Sequence, residues 1–265
     1  MAQFDVGIIG GGPAGLTAAS TLARQLHTAV VFDSGGYRNE SSHHIHTVPG
    51  FEHKDPKEFR EITRQQILSN YDTIQFANVE ITSIEKKSDS HFIMVDSSGK
   101  SWEVKKLILG IGSSDILPQI EGYSVLWKKK IYHCLFCLGY EDRGAESAGV
   151  LAVQAAAMMP ALAVHTAGNA AQLAKEVTIF TNGSSDVQAQ LTPMVSQTPF
   201  KVDNREIARL VDASGGLCVE FKDESSRTVS FLAHHPLTYP QGPFAKQLEL
   251  KQSATGDIQA DDPLF

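Results

Sequence analysis

The chain has 265 residues, of which 42% are hydrophobic and 20% are charged, so it can form one large domain or two modest ones with hydrophobic cores. Its formal net charge of -7 argues against a nucleic-acid partner and against a polybasic membrane anchor, because both require a basic surface. Three cysteines are too few for a secreted disulfide framework. The chain also lacks the start of a signal peptide and a long apolar segment, so we expect a cytoplasmic protein without a membrane partner.

The first part of the chain has the pattern of an α/β fold. We predict a strand over Phe4–Ile9, a helix from residue 13 to about 26, and a strand over Ala29–Phe32, which form a βαβ unit. A long polar loop over 34–56 and an amphipathic helix over 57–70 follow. Short strands then fill 74–108, and a final strand runs over 106–109.

A second βαβ unit is predicted further along the chain. It consists of a buried strand over 149–153, a helix over 161–175 and a strand over 177–181. We expect a short helix or a strand–helix junction at 203–211, and a hairpin formed by 217–221 and 228–233. Composition changes near Pro118 and again near Pro236, so we predict two three-layer, Rossmann-like domains in which 1–119 and 238–265 flank an inserted domain, 120–237.

A glycine-rich turn connects the first predicted strand to its helix. Gly10, Gly12 and Gly15 have the spacing that permits a tight turn, a close approach to a pyrophosphate and close helix–strand packing. Asp33 ends the next strand, where an acid can accept hydrogen bonds from a ribose. The pattern favours dinucleotide binding over a purely structural turn, but it does not distinguish FAD from NAD.

The corresponding turn in the second βαβ unit lacks this pattern. It offers Gly149 but no G-x-G, and its next strand ends in Thr181, Asn182 and Gly183, without an acid or an arginine cluster. We therefore expect no nicotinamide nucleotide in this unit.

Cys134 and Cys137 form a C-x-x-C pair that follows His133 and three lysines at 128–130. Such a pair can close a redox-active disulfide, and nearby positive charge or a helix start favours the reactive thiolate. His133 is either a base beside Cys134 or a surface histidine. The pair is alternatively inert and buried.

A metal site is not predicted. Zinc would need Cys218 with His234 or His235 in addition to the pair, and the spacing does not support such a site. Cys218 lies alone in a predicted strand, where we expect it to be part of the core.

The motifs together resemble low-molecular-weight thioredoxin reductases. The segments that carry this similarity are Gly10-Gly-Gly-Pro-Ala-Gly15, Leu107-Ile-Leu-Gly-Ile-Gly112 with Asp115, Pro118 and Gly122, and the C-x-x-C. The string from His133 to Glu141, the loop residues Arg38, Asn39, His43, His44 and His46, and Gly256-Asp257-Ile258 resemble a fungal subgroup, the FAD-dependent dithiol oxidases of gliotoxin type. The similarity covers essentially the whole chain.

The resemblance implies a homodimeric flavoenzyme that oxidises a small-molecule dithiol, in the manner of epidithiodiketopiperazine biosynthesis, with oxygen as the final acceptor. It implies that Cys134 exchanges with substrate, that Cys137 faces the flavin, and that 120–237 is a degenerate NADPH-type domain. The FAD contacts that it implies are those of Gly10, Gly12, Pro13, Ala14, Gly15, Asp33, Arg38, Asn39, His46 and Gly112.

Two departures from the family pattern stand out. Leu138 occupies the position after the second cysteine, where the subgroup has a histidine and thioredoxin reductases an aspartate, and leucine cannot carry a proton. The family's last FAD-binding segment is expected beyond Phe265, so we expect an open edge on the FAD domain. An NADPH-dependent thioredoxin reductase and a truncated, non-catalytic relative are the alternative readings.

Overall fold

The computed structural model describes residues 3–260 and divides the chain into two compact units. The first comprises the chain up to Ser114 and again from Thr238, and the second comprises Asp115–Leu237. Each unit contains a parallel sheet with helices, and this confirms the predicted α/β class.

The first unit is a six-stranded sheet with two helices of more than ten residues. Its elements are β1 (Phe4–Ile9), α1 (Pro13–Ala23), β2 (Ala29–Phe32), α2 (Pro56–Asn70), β3 (Ile74–Ala77), β4 (Ile81–Ser88), β5 (His91–Asp96) and β6 (Ser101–Leu109). The order is β3-β2-β1-β6-β5-β4, with β3, β2, β1 and β6 parallel and the last two strands added as an antiparallel hairpin.

Alternating apolar residues give this sheet two buried faces. Ile8 and Val31 pack with the helices on one face, whereas Ile9 and Phe32 pack on the other face with the hairpin. The sequence pattern for a strand buried on both faces is a continuous apolar run, as in β1 and β2. The predicted strand, helix and strand over the first 32 residues are therefore confirmed, and α1 ends three residues earlier than expected, at Ala23.

One side of β6 is paired over only part of its length. The strand pairs with β1 through Leu109, whereas its ladder with β5 covers only Ser101–Val104 in the described part of the chain. The chain returns to this unit after Leu237, and its short helix α8 (Phe244–Gln247) buries Phe244 in the hairpin face. The Gln247 side chain accepts a hydrogen bond from the backbone N–H of Ile84 at 2.9 Å.

The second unit combines a five-stranded parallel sheet with a three-stranded antiparallel one. Its elements are α3 (Tyr123–Leu126), β8 (Ile131–Tyr132), α4 (Leu135–Leu138), a 3₁₀ turn (Tyr140–Asp142), β9 (Ala145–Leu151), α5 (Ala155–Met158), α6 (Pro160–Ala170), β10 (Ala174–Phe180), α7 (Ser185–Val195), β11 (Lys201–Asp203), β12 (Ile207–Ala213), β13 (Gly216–Phe221), β14 (Ser226–Val229) and β15 (Phe231–Ala233). The orders are β11-β10-β9-β15-β8 and β12-β13-β14, and the connecting strands β7 (Ser113–Ile116) and β16 (Leu237–Pro240) form a two-stranded sheet.

Three expectations for this unit were wrong in detail. The helix predicted over 161–175 ends at Ala170, because β10 already begins at Ala174. Residues 203–211 form no helix: the buried residues Ile207 and Leu210 are three apart because a β-bulge lies between them, and this spacing imitates a helical period. The run 228–233 divides between β14 and β15, which belong to different sheets.

None of the helices within residues 3–260 is long and apolar enough to cross a membrane.

A buried hydrogen bond connects two ends of the second unit. Tyr123 is fully buried, and its hydroxyl lies 2.6 Å from Nδ1 of His234, whose exposed fraction is 1%. Burial lowers the pKa of His234 from 6.5 to about 4, since the charged imidazolium would lose its hydration. His234 is therefore neutral in the folded chain at neutral pH.

We predict that His234 makes stability depend on pH. Between pH 6.5 and about 4 the unfolded chain binds the proton and the folded chain does not, so the free energy of unfolding falls by up to about 1.4 kcal/mol per pH unit on acidification. Urea unfolding of His234→Gln at pH 7 and pH 5 should show a smaller difference than that of the parent chain. The control, Tyr123→Phe, should be less stable at both pH values while keeping the parent's difference; an equal loss of pH dependence in both variants would contradict this explanation.

Candidate functional site

The first glycine turn brings three backbone segments into close contact. Gly10 has a φ of +115°, and a Cβ atom there would lie 2.1 Å from the carbonyl oxygen of Gly110. A Cβ atom at Gly15 would lie 1.8 Å from the carbonyl oxygen of Gly10. A side chain at either position would displace the backbone, so these two glycines are required by packing.

Gly12 differs, because a Cβ atom there would meet no atom within 4 Å. It is the N-cap of α1, and no side chain among the described residues caps the helix. Pro13 and Ala14 are exposed in its first turn. Open space beside the exposed start of an eleven-residue helix suits a pyrophosphate, since the first N–H groups have no partner within the helix.

Asp33 lies beside this turn, at the end of β2. Its carboxylate accepts hydrogen bonds from the N–H of Gly35 at 3.0 Å and from the hydroxyl of Tyr37 at 2.7 and 2.8 Å. A Cβ atom at Gly11 would lie 2.1 Å from the carboxyl carbon of Asp33. Asp33, which the sequence predicts to bind a ribose, therefore lies against the turn. Its carboxylate already accepts a hydrogen bond from a hydroxyl group, that of Tyr37.

Tyr37 is the residue here that the sequence reasoning missed. Burial and the Asp33 carboxylate raise its pKa to about 12, and the guanidinium of Arg60 lies 3.7 Å from its ring centroid. In the sequence Tyr37 lies four residues after Asp33. Such a spacing predicts a contact in a helix but not in a loop.

The remaining predicted FAD residues of the first unit lie in the loop before α2 and after β6. Arg38 Nη1 donates to Ser113 Oγ at 3.1 Å, so Arg38 reaches the segment that contains Gly112. Gly112 has a φ of +68° and open space where a Cβ atom would be. Asn39 accepts from Arg60 Nη1 at 3.4 Å, whereas His46 Nδ1 lies 2.6 Å from Glu52 Oε1.

The cysteine pair lies directly after β8 in the second unit. Cys134 is the N-cap of α4 and forms a disulfide with Cys137, and their Cα atoms are 5.3 Å apart. Cys134 is half-buried, and Cys137 is exposed. The helix has four residues, so the thiolate-favouring effect of a helix start is small here.

The structure gives a packing role to the residue that departs from the family pattern. Leu135 and Leu138 pack against the main core cluster of the second unit, whereas Phe136 between them is exposed. Leu138 thus holds the short helix that presents the disulfide. His133 is half-buried, and its ring centroid lies 5.9 Å from that of Trp127.

The zinc set considered from the sequence is not assembled in residues 3–260. Cys218 lies in β13 and is partly exposed, so it is not the core residue that we expected. His234 bonds to Tyr123, and His235 Nε2 lies 3.0 Å from Thr166 Oγ1.

The turn after β9 differs from the first glycine turn in its packing. A Cβ atom at Gly149 would lie 2.3 Å from Leu232 Cδ2, so this glycine serves sheet packing. Gln154 takes a φ of +51° in the turn, and its Nε2 donates to the carbonyl oxygen of Ile116 at 2.9 Å.

The side chains that end β10 are also engaged within the unit. Asn182 Oδ1 accepts from the N–H of Ile207 at 2.8 Å, and Thr181 donates to Asn204. These contacts use the polar groups that a ribose would need.

A glycine turn open beside a helix start, and a closed C-x-x-C disulfide in the other unit, are the features of a disulfide oxidoreductase with a dinucleotide cofactor. Residues 4–198 match the model of the pyridine nucleotide-disulphide oxidoreductase family, and the chain belongs to this family. It is therefore an oxidoreductase, and like the thioredoxin reductases of the family it is a flavoprotein that binds FAD.

Several relatives are similar over nearly the whole chain. The thioredoxin reductase aclD of Aspergillus oryzae is 42% identical over 99% of this chain and 84% of its own, and sirT of Leptosphaeria maculans is 36% identical over 99% and 83%. Among solved structures, an oxidoreductase from Agrobacterium tumefaciens has a TM-score of 0.84 at 28% identity, covering 100% of this chain and 85% of that one. HlmI has a TM-score of 0.81 at 28% identity, covering 97% and 79%.

We predict that Gly12→Ala weakens FAD binding without unfolding the chain. The backbone at Gly12 has a φ of −76° and no atom near the new methyl group, so the fold should tolerate alanine. The methyl group would occupy the space proposed for the pyrophosphate, and we expect at least a tenfold higher Kd for FAD, equivalent to ~1.4 kcal/mol. Flavin fluorescence titration of the flavin-stripped chain measures this.

Gly168→Ala is the matched control. A Cβ atom at Gly168 would likewise meet no atom within 4 Å, and this glycine lies in α6 of the second unit. Its FAD affinity should equal that of the parent, and equal affinity in Gly12→Ala would remove Gly12 from the proposed cofactor site.

Proposed function

We propose that the protein is an FAD-dependent oxidase that converts a small-molecule dithiol into a disulfide. The observation that carries this proposal is the Cys134–Cys137 disulfide, which is presented at the surface by a unit whose own nucleotide turn has lost its glycines. A dithiol is the reductant that such a disulfide accepts by exchange. The similarity to fungal relatives supports a substrate of the epidithiodiketopiperazine type.

The exchange can be written with the chain's own residues. A substrate thiolate attacks the sulfur of Cys134, the Cys134–Cys137 bond breaks, and Cys137 leaves as a thiolate. The second substrate thiol then attacks the mixed disulfide, so the product leaves with its new S–S bond and Cys134 is released as a thiol. Bound FAD would take up the two electrons of the reduced pair and pass them to oxygen.

A proton acceptor is needed for the second substrate thiol. We propose an imidazole nitrogen of His133 for this role, because His133 is adjacent to Cys134 and Leu138 has no ionisable group. FAD would be held by the first glycine turn with Asp33 and the residues of the following loop. A homodimer and a cytoplasmic location, the latter from the cysteine content, remain part of the proposal.

The second candidate is an NADPH-dependent thioredoxin reductase, which is the name that the similar fungal proteins carry. Against it stand the turn after β9, with Gln154 in place of a glycine cradle, and the internal bonds of Thr181 and Asn182. A thioredoxin reductase needs that turn for its reductant.

We predict that Cys137→Ser abolishes reduction of the flavin by a dithiol. With excess dithiothreitol under nitrogen, the FAD-loaded parent chain should lose the visible absorbance of its oxidised flavin. The absorbance should return in air. Without Cys137 the internal disulfide cannot form, and the rate should fall at least a hundredfold, or about 2.7 kcal/mol.

Cys218→Ser is the control for this experiment, because Cys218 is the third cysteine and lies outside the pair. It should bleach and recover like the parent. Unchanged bleaching in Cys137→Ser would exclude the pair from the reaction, and a parent chain that takes up no FAD would favour the non-catalytic alternative.

We also predict that NADPH does not reduce the flavin on the time scale of the dithiol reaction. The polar groups at the ends of β9 and β10 are engaged within the unit, so the nucleotide lacks its usual donors and acceptors. Anaerobic stopped-flow mixing of the FAD-loaded chain with NADPH measures this directly. Flavin reduction by NADPH as fast as by dithiol would replace the oxidase with a reductase.

A further inference from the structure

The loop between β2 and α2 folds into a small hairpin that carries three histidines. Ile45 and Lys54 form an antiparallel bridge, in which the N–H of Ile45 donates to the carbonyl oxygen of Lys54 at 2.8 Å. His46 and His53 are therefore neighbours across the two arms, and their ring centroids are 4.7 Å apart. His44 lies on the same arm as His46. Its ring centroid is 6.4 Å from that of His46 and 6.2 Å from that of His53.

A carboxylate lies between the two imidazoles. Glu52 Oε1 is 2.6 Å from His46 Nδ1 and 4.0 Å from His53 Nε2. One nitrogen or oxygen atom from each of the three side chains lies within 4.8 Å of the other two. The other oxygen, Glu52 Oε2, accepts from the N–H of Thr47 at 2.9 Å, which fixes the orientation of the carboxylate. The hydrogen bonds that the Glu52 carboxylate accepts from His46 and from the N–H of Thr47 lower its pKa below the ordinary value.

From this cluster we infer a binding site for a divalent metal ion of the zinc class, with His46 Nδ1, Glu52 Oε1 and His53 Nε2 as ligands. Two imidazoles and a carboxylate form a three-ligand set that zinc uses when its fourth position stays open. His44 is close enough to supply a fourth ligand after a rotation of its side chain.

The distances agree with a site that closes on the ion. Ligand atoms about 2.0 Å from a tetrahedral zinc ion lie roughly 3.3 Å apart. His46 and Glu52 are closer than this because they share a hydrogen bond, and Glu52 and His53 are more distant. Changes of about 0.7 Å at these two pairs, and of up to about 1.5 Å between the two imidazole nitrogens, reach the tetrahedral spacing.

The alternative explanation is a metal-free clip, by which we mean that the hydrogen bonds of Glu52 with His46 and Thr47 only hold the hairpin together. Such a clip accounts for His46 with Glu52. His53, which is 66% exposed and takes a left-handed φ of +60°, adds to it only a ring contact with His46 and a 4.0 Å approach to the carboxylate. A metal ion explains why both imidazoles and the acid converge. The site is separate from the cysteine pair, because none of its ligands is a cysteine. His46 also belongs to the loop proposed to hold FAD, so zinc is titrated with FAD already bound.

Isothermal titration of zinc chloride into the FAD-loaded full chain tests the inference. The protein is first treated with a chelator and exchanged by gel filtration, with the cysteine pair oxidised and Cys218→Ser as the background to remove the free thiol. We expect one zinc ion per chain, and at least tenfold weaker binding in His53→Gln and in Glu52→Gln. Both side chains are largely exposed, so the core is not disturbed.

His91→Gln is the matched control, because His91 Nε2 and Glu103 Oε2 form an isolated pair at 3.1 Å elsewhere in the first unit. It should bind zinc like the parent, and zinc should raise the melting temperature of the parent and of His91→Gln but not of His53→Gln. Absence of stoichiometric uptake by the parent, or parent-like affinity in both His53→Gln and Glu52→Gln, would overturn the metal site and leave the clip. Neither result depends on dithiol oxidation.

Discussion

The contact between the backbones at Gly10, Gly15 and Gly110 is the constraint on which the first unit depends. The carbonyl oxygen of Gly10 lies where a Cβ atom of Gly15 would be, and the carbonyl oxygen of Gly110 lies where one of Gly10 would be. This contact sets how closely α1 approaches the ends of β1 and β6. The helix therefore starts close to the sheet edge, and Asp33 lies against the same turn, as the proposed binding of a pyrophosphate and a ribose requires.

The second unit keeps the same βαβ topology and has lost the corresponding constraint. Gly149 lies inside a strand and makes room for Leu232 and Phe180, not for a ligand. The turn that follows β9 is held by Gln154, whose side chain bonds to the backbone of Ile116. The strand order of this unit does not depend on a glycine turn, because buried apolar strands stabilise the sheet and the turn does not.

Local patterns made much of the fold predictable. The continuous apolar runs of β1 and β2, the glycine spacing and the C-x-x-C each act over a few residues, and all of them appear in the structure where the sequence placed them. The errors came from non-local effects. The bulge in β12 depends on its partner strand, and the hydrogen bond between Tyr37 and Asp33 depends on how the loop folds. His46, Glu52 and His53 come together only because a bridge between Ile45 and Lys54 forms a hairpin.

Leu138 shows how one position can be read in two ways. Compared with the family pattern, it looks like the loss of a proton-carrying side chain. In the structure it is one of two leucines, three residues apart, that pack the short helix α4 onto the core and leave Phe136 and Cys137 exposed. A four-residue helix has few backbone hydrogen bonds of its own, so its position depends on such packing. Presentation of the disulfide and transfer of the proton are thus separate tasks, and the nearest ionisable side chain in sequence to the pair is His133.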